Sequence, residues 1–211
     1  MTLQAHRLGC VRGDLQLFSD LGFDLHPGDA MWVSGTNGSG KTSLLRMLCG
    51  LSAPAEGEVR WNGTDIRRLR EEFCSKLVYI GHANGVKDDL LAWENLAVAS
   101  ILSGQPVGEE EAQEALARLG LGRAADLPTR ALSQGQRKRV ALARLSFASA
   151  MPLWILDEPF TALDKSAVAA LCGTISSHLA AGGMVIYTTH QEIDLSAKRA
   201  LRLDMNAGAL C

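Results

Sequence analysis

The 211-residue sequence is poor in aromatics, at 5%, and has no excess of one charge: 21 basic residues against 23 acidic ones leave a formal net charge of -2. A nucleic-acid groove, which needs basic stripes and stacking rings, is therefore not expected. Nor is a disordered polyelectrolyte, because 47% of the residues are hydrophobic and only 21% are charged. A membrane span needs about 18 or more predominantly apolar residues, and none is found. Even residues 167–191, which lack Asp, Glu, Lys and Arg, are interrupted by Ser176, Ser177, His178, Gly182, Gly183, Thr188, Thr189 and His190. Any path through lipid is expected in another protein. The opening MTLQAHRLGC has no basic start, apolar stretch and small-residue cleavage site, so a cytosolic chain is expected. Cys10, Cys49, Cys74, Cys172 and Cys211 form no CxxC pair and no CxxCH haem-attachment motif, and their odd number suits reduced thiols.

What is present is a core-forming chain with alternating strand and helix signals. The length fits one full domain or one domain with a large insertion, burying roughly 70% of its unfolded surface. Strands are expected at 5–11, 17–25, 30–34, 58–61, 77–80, 153–156 and 184–188, with a short edge or terminal strand at 200–204. Helices are expected at 43–49, near 69–73, at 109–119, 133–149 and 165–181, and residues 88–150 read as a mostly helical insertion. The fold class is α/β.

The strand at 30–34 runs into Gly35-Thr36-Asn37-Gly38-Ser39-Gly40-Lys41-Thr42, which satisfies GxxxxGK[ST] completely. Glycines let backbone amides approach phosphate oxygens, Lys41 can reach the terminal phosphates, and Thr42 can hold Mg2+. Ser43 is expected to cap or pack. A glycine-rich structural turn would not require the lysine, the threonine and the strand-to-helix context together.

Leu153-Trp154-Ile155-Leu156 ends in Asp157-Glu158. Such a pair can be a solvated strand end, but beside a phosphate loop Asp157 can hold Mg2+ through water and Glu158 can activate the attacking water. Ser133 and Gln136 in Leu132-Ser133-Gln134-Gly135-Gln136 fit a capping box, which leaves the glycine between two glutamines without a role. A helix start also attracts phosphate, so Ser133 and Gly135 form a second phosphate-seeking surface. If the two surfaces cannot meet within one chain, two copies can complete each other's sites in a closed dimer. His190, after Thr188-Thr189, can sense the terminal phosphate or hydrogen-bond to the attacking water.

Taken in this order, the phosphate loop, LSQGQ, LWILDEP, Thr161-Ala162-Leu163-Asp164 and His190 closely resemble ABC-transporter nucleotide-binding subunits over nearly the whole chain. The resemblance implies a P-loop NTPase core of the ABC ATPase type with an antiparallel β part and a helical insertion. It implies ATP and Mg2+ as cofactors and a second ATP-binding subunit in a head-to-tail dimer. Ser133, Gln134, Gly135 and Gln136 would then act on the partner's ATP, Asp164 would belong to the intersubunit loop, and His190 would be the switch histidine. Arg12 stands where an adenine-stacking aromatic is usual. His82 stands where a glutamine usually links the Mg2+ site to the membrane subunit, and it would make coupling sensitive to pH.

Gly81 to Leu90 (GHANGVKDDL) and LWILDEPFTALD resemble more narrowly the ATP-binding subunits of bacterial cytochrome c maturation complexes, also described as haem exporters. That resemblance implies a peripheral protein on the cytoplasmic side of the inner membrane. Its partners would be integral membrane subunits, with an indirect link to a haem chaperone. Two alternatives stay open: the ATP-binding subunit of another small-substrate exporter, and an ATP-gated assembly module in which hydrolysis is incidental.

Overall fold

A computed structural model describes residues 1–207, 209 and 210. Cys211 lies outside the described residues, and the other four cysteines are free thiols. The chain builds two sheets. The smaller is antiparallel, in the order β2-β1-β4-β5, from β1 (Leu3–Arg12), β2 (Leu15–Leu25), β4 (Glu56–Trp61) and β5 (Thr64–Asp65). The larger has the order β10-β9-β3-β8-β7-β6. It contains β3 (Asp29–Ser34), β6 (Leu77–Ile80), β7 (Leu153–Leu156), β8 (Met184–Thr188), β9 (Arg199–Asp204) and β10 (Ala209–Leu210). Strands β9, β3, β8, β7 and β6 run parallel, and β10 pairs antiparallel with β9.

Both faces of this parallel sheet are covered, which is why its strands read as continuous apolar runs. Alternate residues serve two cores. Trp154 and Leu156 of β7, with Val185 and Tyr187 of β8, face one cluster, whereas Leu153, Ile155, Met184 and Ile186 face the other. The second core holds α1 (Lys41–Leu48) through Leu44, Leu45 and Leu48, together with the inner face of the small sheet. The first receives α7 (Lys165–Ala180) and the three helices between β6 and β7. These are α4 (Ala92–Leu102), α5 (Glu109–Arg118) and α6 (Gln134–Ala143). Asn95, buried in α4, ties them to the preceding loop by accepting from Lys87 N at 2.7 Å and donating to Lys87 O at 3.1 Å.

Two expected elements differ. The helix expected at 133–149 stops at Ala143 and tightens into a 3-10 turn, Arg144–Phe147. The buried Trp154 indole donates to Ala148 O at 3.3 Å, and Pro152 disfavours helix at the residue before it, so the chain must leave the axis to enter β7. The helical stretch near 69–73 is two short helices, α2 (Ile66–Leu69) and α3 (Glu71–Cys74), separated at Arg70 with φ 40°. That break lets both Ile66 and Phe73 be buried. Residues 200–204, expected as a short edge or terminal strand, lie in β9, which pairs with β3 along its whole length and is met on its other side by β10 only at Leu203 and Asp204. Among the described residues, no helix is long and apolar enough to cross a membrane.

Candidate active site

The carboxyl ends of parallel strands are where a doubly covered sheet leaves an open crevice. The strand order puts the phosphate-loop motif after β3, Thr189-His190 after β8, Asp157-Glu158 after β7 and His82 after β6, all along that one edge. Gly38 and Gly40 have φ of 87° and 96°, the left-handed region glycine tolerates. Gly40 is the N-cap of α1, which has no side-chain cap and no acidic residue in its first turn. The helix therefore starts with uncapped amides and the positive end of its dipole, a preformed anion site. Lys41 Nζ donates to Gly35 O at 2.7 Å and to Thr36 O at 3.0 Å, bridging the loop it follows.

Asp157 is 2% exposed and is held from two sides. Thr42 Oγ1 donates to its Oδ2 at 2.9 Å, and Thr188 Oγ1 donates to its Oδ1 at 2.8 Å. Leu156 pairs with Tyr187 in the sheet, so the next residues of the two strands, Asp157 and Thr188, lie side by side. Glu158 has φ 51°, a costly conformation for a residue with a side chain, and its N–H donates to Thr188 Oγ1 at 2.8 Å. Thr161 Oγ1 donates to Glu158 Oε2 at 3.3 Å, and His190 Nε2 lies 3.4 Å from Glu158 Oε1.

A cleft of about 660 Å³ is lined by Arg12, Asn37, Gly38, Gly40, Lys41, Thr42, Ser43, His82, Asp157, Glu158 and His190. Gly35, Thr36 and Ser39 do not line it. Thr36 instead donates from Oγ1 to Asn206 Oδ1 at 3.0 Å, fastening the loop to the segment after β9. Another cavity, about 530 Å³ between α6 and α7, lies away from this edge and contains none of these groups.

Ser133, Gln134, Gly135, Gln136 and Asp164 are also absent from the cleft lining. Ser133 caps α6 through the expected box: Gln136 N donates to Ser133 Oγ at 3.2 Å and Ser133 N to Gln136 Oε1 at 2.9 Å. A Cβ on Gly135 would stand 2.6 Å from Ala162 O, where Ala162 itself has φ 61°. Asp164 caps α7. It accepts from Ala167 N at 2.9 Å, Ser166 Oγ at 2.7 Å and an Arg139 guanidinium nitrogen at 2.6 Å. The Ala167 amide above all, then Ser166 and Arg139, hold its pKa down at about 2.

Thr188, Thr161, Lys138 and Arg139 carry contacts that sequence reasoning did not assign. The signal for Thr188 is its place at the end of the strand beside β7, which needs the strand order to be read. Replacing Thr188 by Val strips the buried Asp157 carboxylate of one donor and leaves the Glu158 N–H unpartnered. Unmade buried hydrogen bonds of this kind cost about 1–3 kcal/mol each. Urea unfolding of T188V should show a loss of about 2–3 kcal/mol, and phosphate release should slow by about tenfold or more. Wild-type turnover in that variant would detach Thr188 from the acidic pair.

The model of the family described as "ABC transporter" matches residues 18–161, more than half of the chain. The chain belongs to the ABC transporter family. Among the relatives of this ABC ATPase is the cytochrome c biogenesis ATP-binding export protein CcmA of Nitrosospira multiformis. It is 53% identical over 204 residues, covering 97% of this chain and 98% of the relative. The protein of the same name from Nitrosomonas europaea is 54% identical over 194 residues, covering 92% and 91%. A bacterial ABC transporter cassette solved as a dimer superposes with a TM-score of 0.81 at 22% identity, covering 96% of this chain and 94% of that one. The mixed parallel and antiparallel architecture is thus that of ABC cassettes, and the chain is an ATP-hydrolysing, nucleotide-binding subunit.

The residues present in this ABC ATPase suit Mg2+. Thr42 Oγ1 and Asp157 Oδ2 are adjacent hard oxygen donors, 2.9 Å apart, beside the uncapped start of α1. Mg2+ in nucleotide sites takes one or two protein oxygens and completes its shell with phosphate and water. Among the described residues, no group of three or more His, Cys, Asp or Glu forms an all-protein cage.

Proposed function

We propose that the chain is the peripheral ATPase subunit of a bacterial inner-membrane ABC complex for cytochrome c maturation, acting on the cytoplasmic face and coupled to haem handling and release of a haem chaperone. The observation that carries this reading is identity above one half, over nearly the whole chain, to relatives named as cytochrome c biogenesis ATP-binding export proteins. Integral membrane subunits would supply the path through lipid. The helical segment 88–150, inserted in the RecA-like core, would dock on them.

Within the cleft, Lys41 and the amides of Asn37, Gly38 and Gly40 would bind phosphate, with Gly35, Thr36 and Ser39 shaping the loop behind them, and Ser43 would support the start of α1. Thr42 and Asp157 would hold Mg2+, with His82 a further candidate at that site. The metal supplies charge neutralisation and orientation of the terminal phosphates. Glu158 would take the proton of the attacking water, with His190 beside it to sense the terminal phosphate. Arg12, at the outer rim of the cleft, would stack on the base through its guanidinium.

The absence of Ser133, Gln134, Gly135 and Gln136 from the cleft supports a head-to-tail dimer in which these residues meet the partner's ATP. Asp164, bound within its own chain, would steady the loop that faces the partner. Native isolation with membrane partners, followed by composition analysis with ATP and after hydrolysis, tests the assignment. Cytochrome-maturation membrane proteins are the expected company, and recovery of an unrelated permease instead would reject it.

A further inference from the structure

Lys138 is a buried cation in the middle of α6, 6% exposed, in a stretch that reads in sequence as a basic run. Its Nζ donates to the backbone oxygen of Asp157 at 3.2 Å. The same peptide unit donates its N–H, that of Glu158, to Thr188 Oγ1 at 2.8 Å. The Asp157–Glu158 peptide is therefore gripped at both ends, by Lys138 at the carbonyl and by Thr188 at the amide, at the place where Glu158 enters its unfavourable positive φ of 51°. Without the grip on the carbonyl, the peptide can rotate toward an ordinary conformation and carry the Glu158 carboxylate away from His190. Lys138 is also a cation close enough for the charges of Asp157 and Glu158 to act on it. Burial pushes the Lys138 pKa down, while the charges of Asp157 and Glu158 pull it back up.

We propose that Lys138 is a positioning residue for ATP hydrolysis, clamping the Asp157–Glu158 peptide from the helix that begins at Ser133. The proposal rests on the reading of Glu158 as the group that activates water. K138M leaves the buried Asp157 carbonyl without its donor and removes a positive charge near the Asp157 carboxylate, so it should cost stability as well as rate. Activity is therefore compared at a temperature where every variant is fully folded, and there the clamp predicts a fall in kcat.

The test compares ATP hydrolysis by full-length wild type, K138M, K138R, T188V, K138M/T188V and E158Q. Expected for K138M, assayed well below its melting temperature, are a kcat lower by about tenfold or more and a KM for ATP within about twofold. K138R, which keeps the charge and a donor, should recover most of the rate, and K138M should add less in the T188V background than alone because both grip one peptide. If K138M does not fold, K138L supplies a side chain without a donor for the same comparison. A K138M enzyme with wild-type kcat beside an inactive E158Q overturns the clamp and leaves the Glu158 reading intact. A loss confined to KM, or one that K138R does not relieve, also overturns it. An active E158Q removes the reading on which the proposal stands.

Discussion

The Glu158→Gln protein is expected to bind ATP normally and to hydrolyse it about 10²- to 10⁴-fold more slowly, the scale on which a positioned general base contributes. The substitution is nearly isosteric, and the structure shows why it spares the site. The Glu158 N–H is held by Thr188, the Asp157 carboxylate by Thr42 and Thr188, and the lysine of the phosphate loop by its own loop carbonyls. None of these bonds involves the Glu158 side chain, so the amide leaves the phosphate-binding frame standing and removes the proton acceptor. Phosphate release under single-turnover conditions measures the effect, and a wild-type rate would reject the assignment. Held with ATP and Mg2+, the same variant should scatter as a dimer, since the cleft lacks the Ser133–Gln136 surface that a second copy would bring. A monomer under those conditions would reject the head-to-tail arrangement.

The largest expected loss of stability lies at the other end of the sheet. Asp29, 1% exposed at the start of β3, accepts from Arg199 Nε at 3.0 Å and from a second guanidinium nitrogen, and it also accepts from His26 N at 2.8 Å. Burial by itself would raise its pKa, but the hydrogen bonds from Arg199 and His26 outweigh burial and hold it below the usual carboxylate value. Arg199→Ala leaves a buried carboxylate without its cation. The cost should be about 2–4 kcal/mol, less than for a wholly buried pair because the guanidinium is half-exposed, and the melting point should fall by roughly 5–15 °C. The sign with pH follows from the lowered folded value. The contribution is present above the unfolded carboxylate pKa, near 4, and disappears as pH falls through the lower folded pKa. The gap between wild type and Arg199→Ala should therefore be widest at neutral pH and narrow in acid. Equal melting points at pH 7 would show that Asp29 is satisfied by the backbone alone.

The parts of the site that lie within one stretch of chain were legible before any coordinates. The phosphate loop, the acidic pair and the Ser133–Gln136 box declare themselves because strand, turn and helix cap each have a local chemical signature, and the structure places all three in the expected elements. What could not be read was anything decided by neighbours distant in sequence. Thr188 looks like any strand-end threonine until β8 is seen beside β7. Lys138 is one of three consecutive basic residues with nothing to set it apart until α6 is packed against the end of β7, where it is the most deeply buried of the three. The break at Arg70 was hidden because arginine carries no signal for a positive φ.

Gly135 stands so close to Ala162 O that even a methyl group would be only 2.6 Å away. That crowding arises inside one chain, between the start of α6 and the loop that follows the acidic pair, and it exists before any second copy approaches. The folded subunit therefore constrains this glycine by itself, whatever an assembled enzyme would add. A lineage that lost its ATPase activity but kept the fold would be expected to shed Glu158 and Lys41 early and to retain Gly135 long afterward.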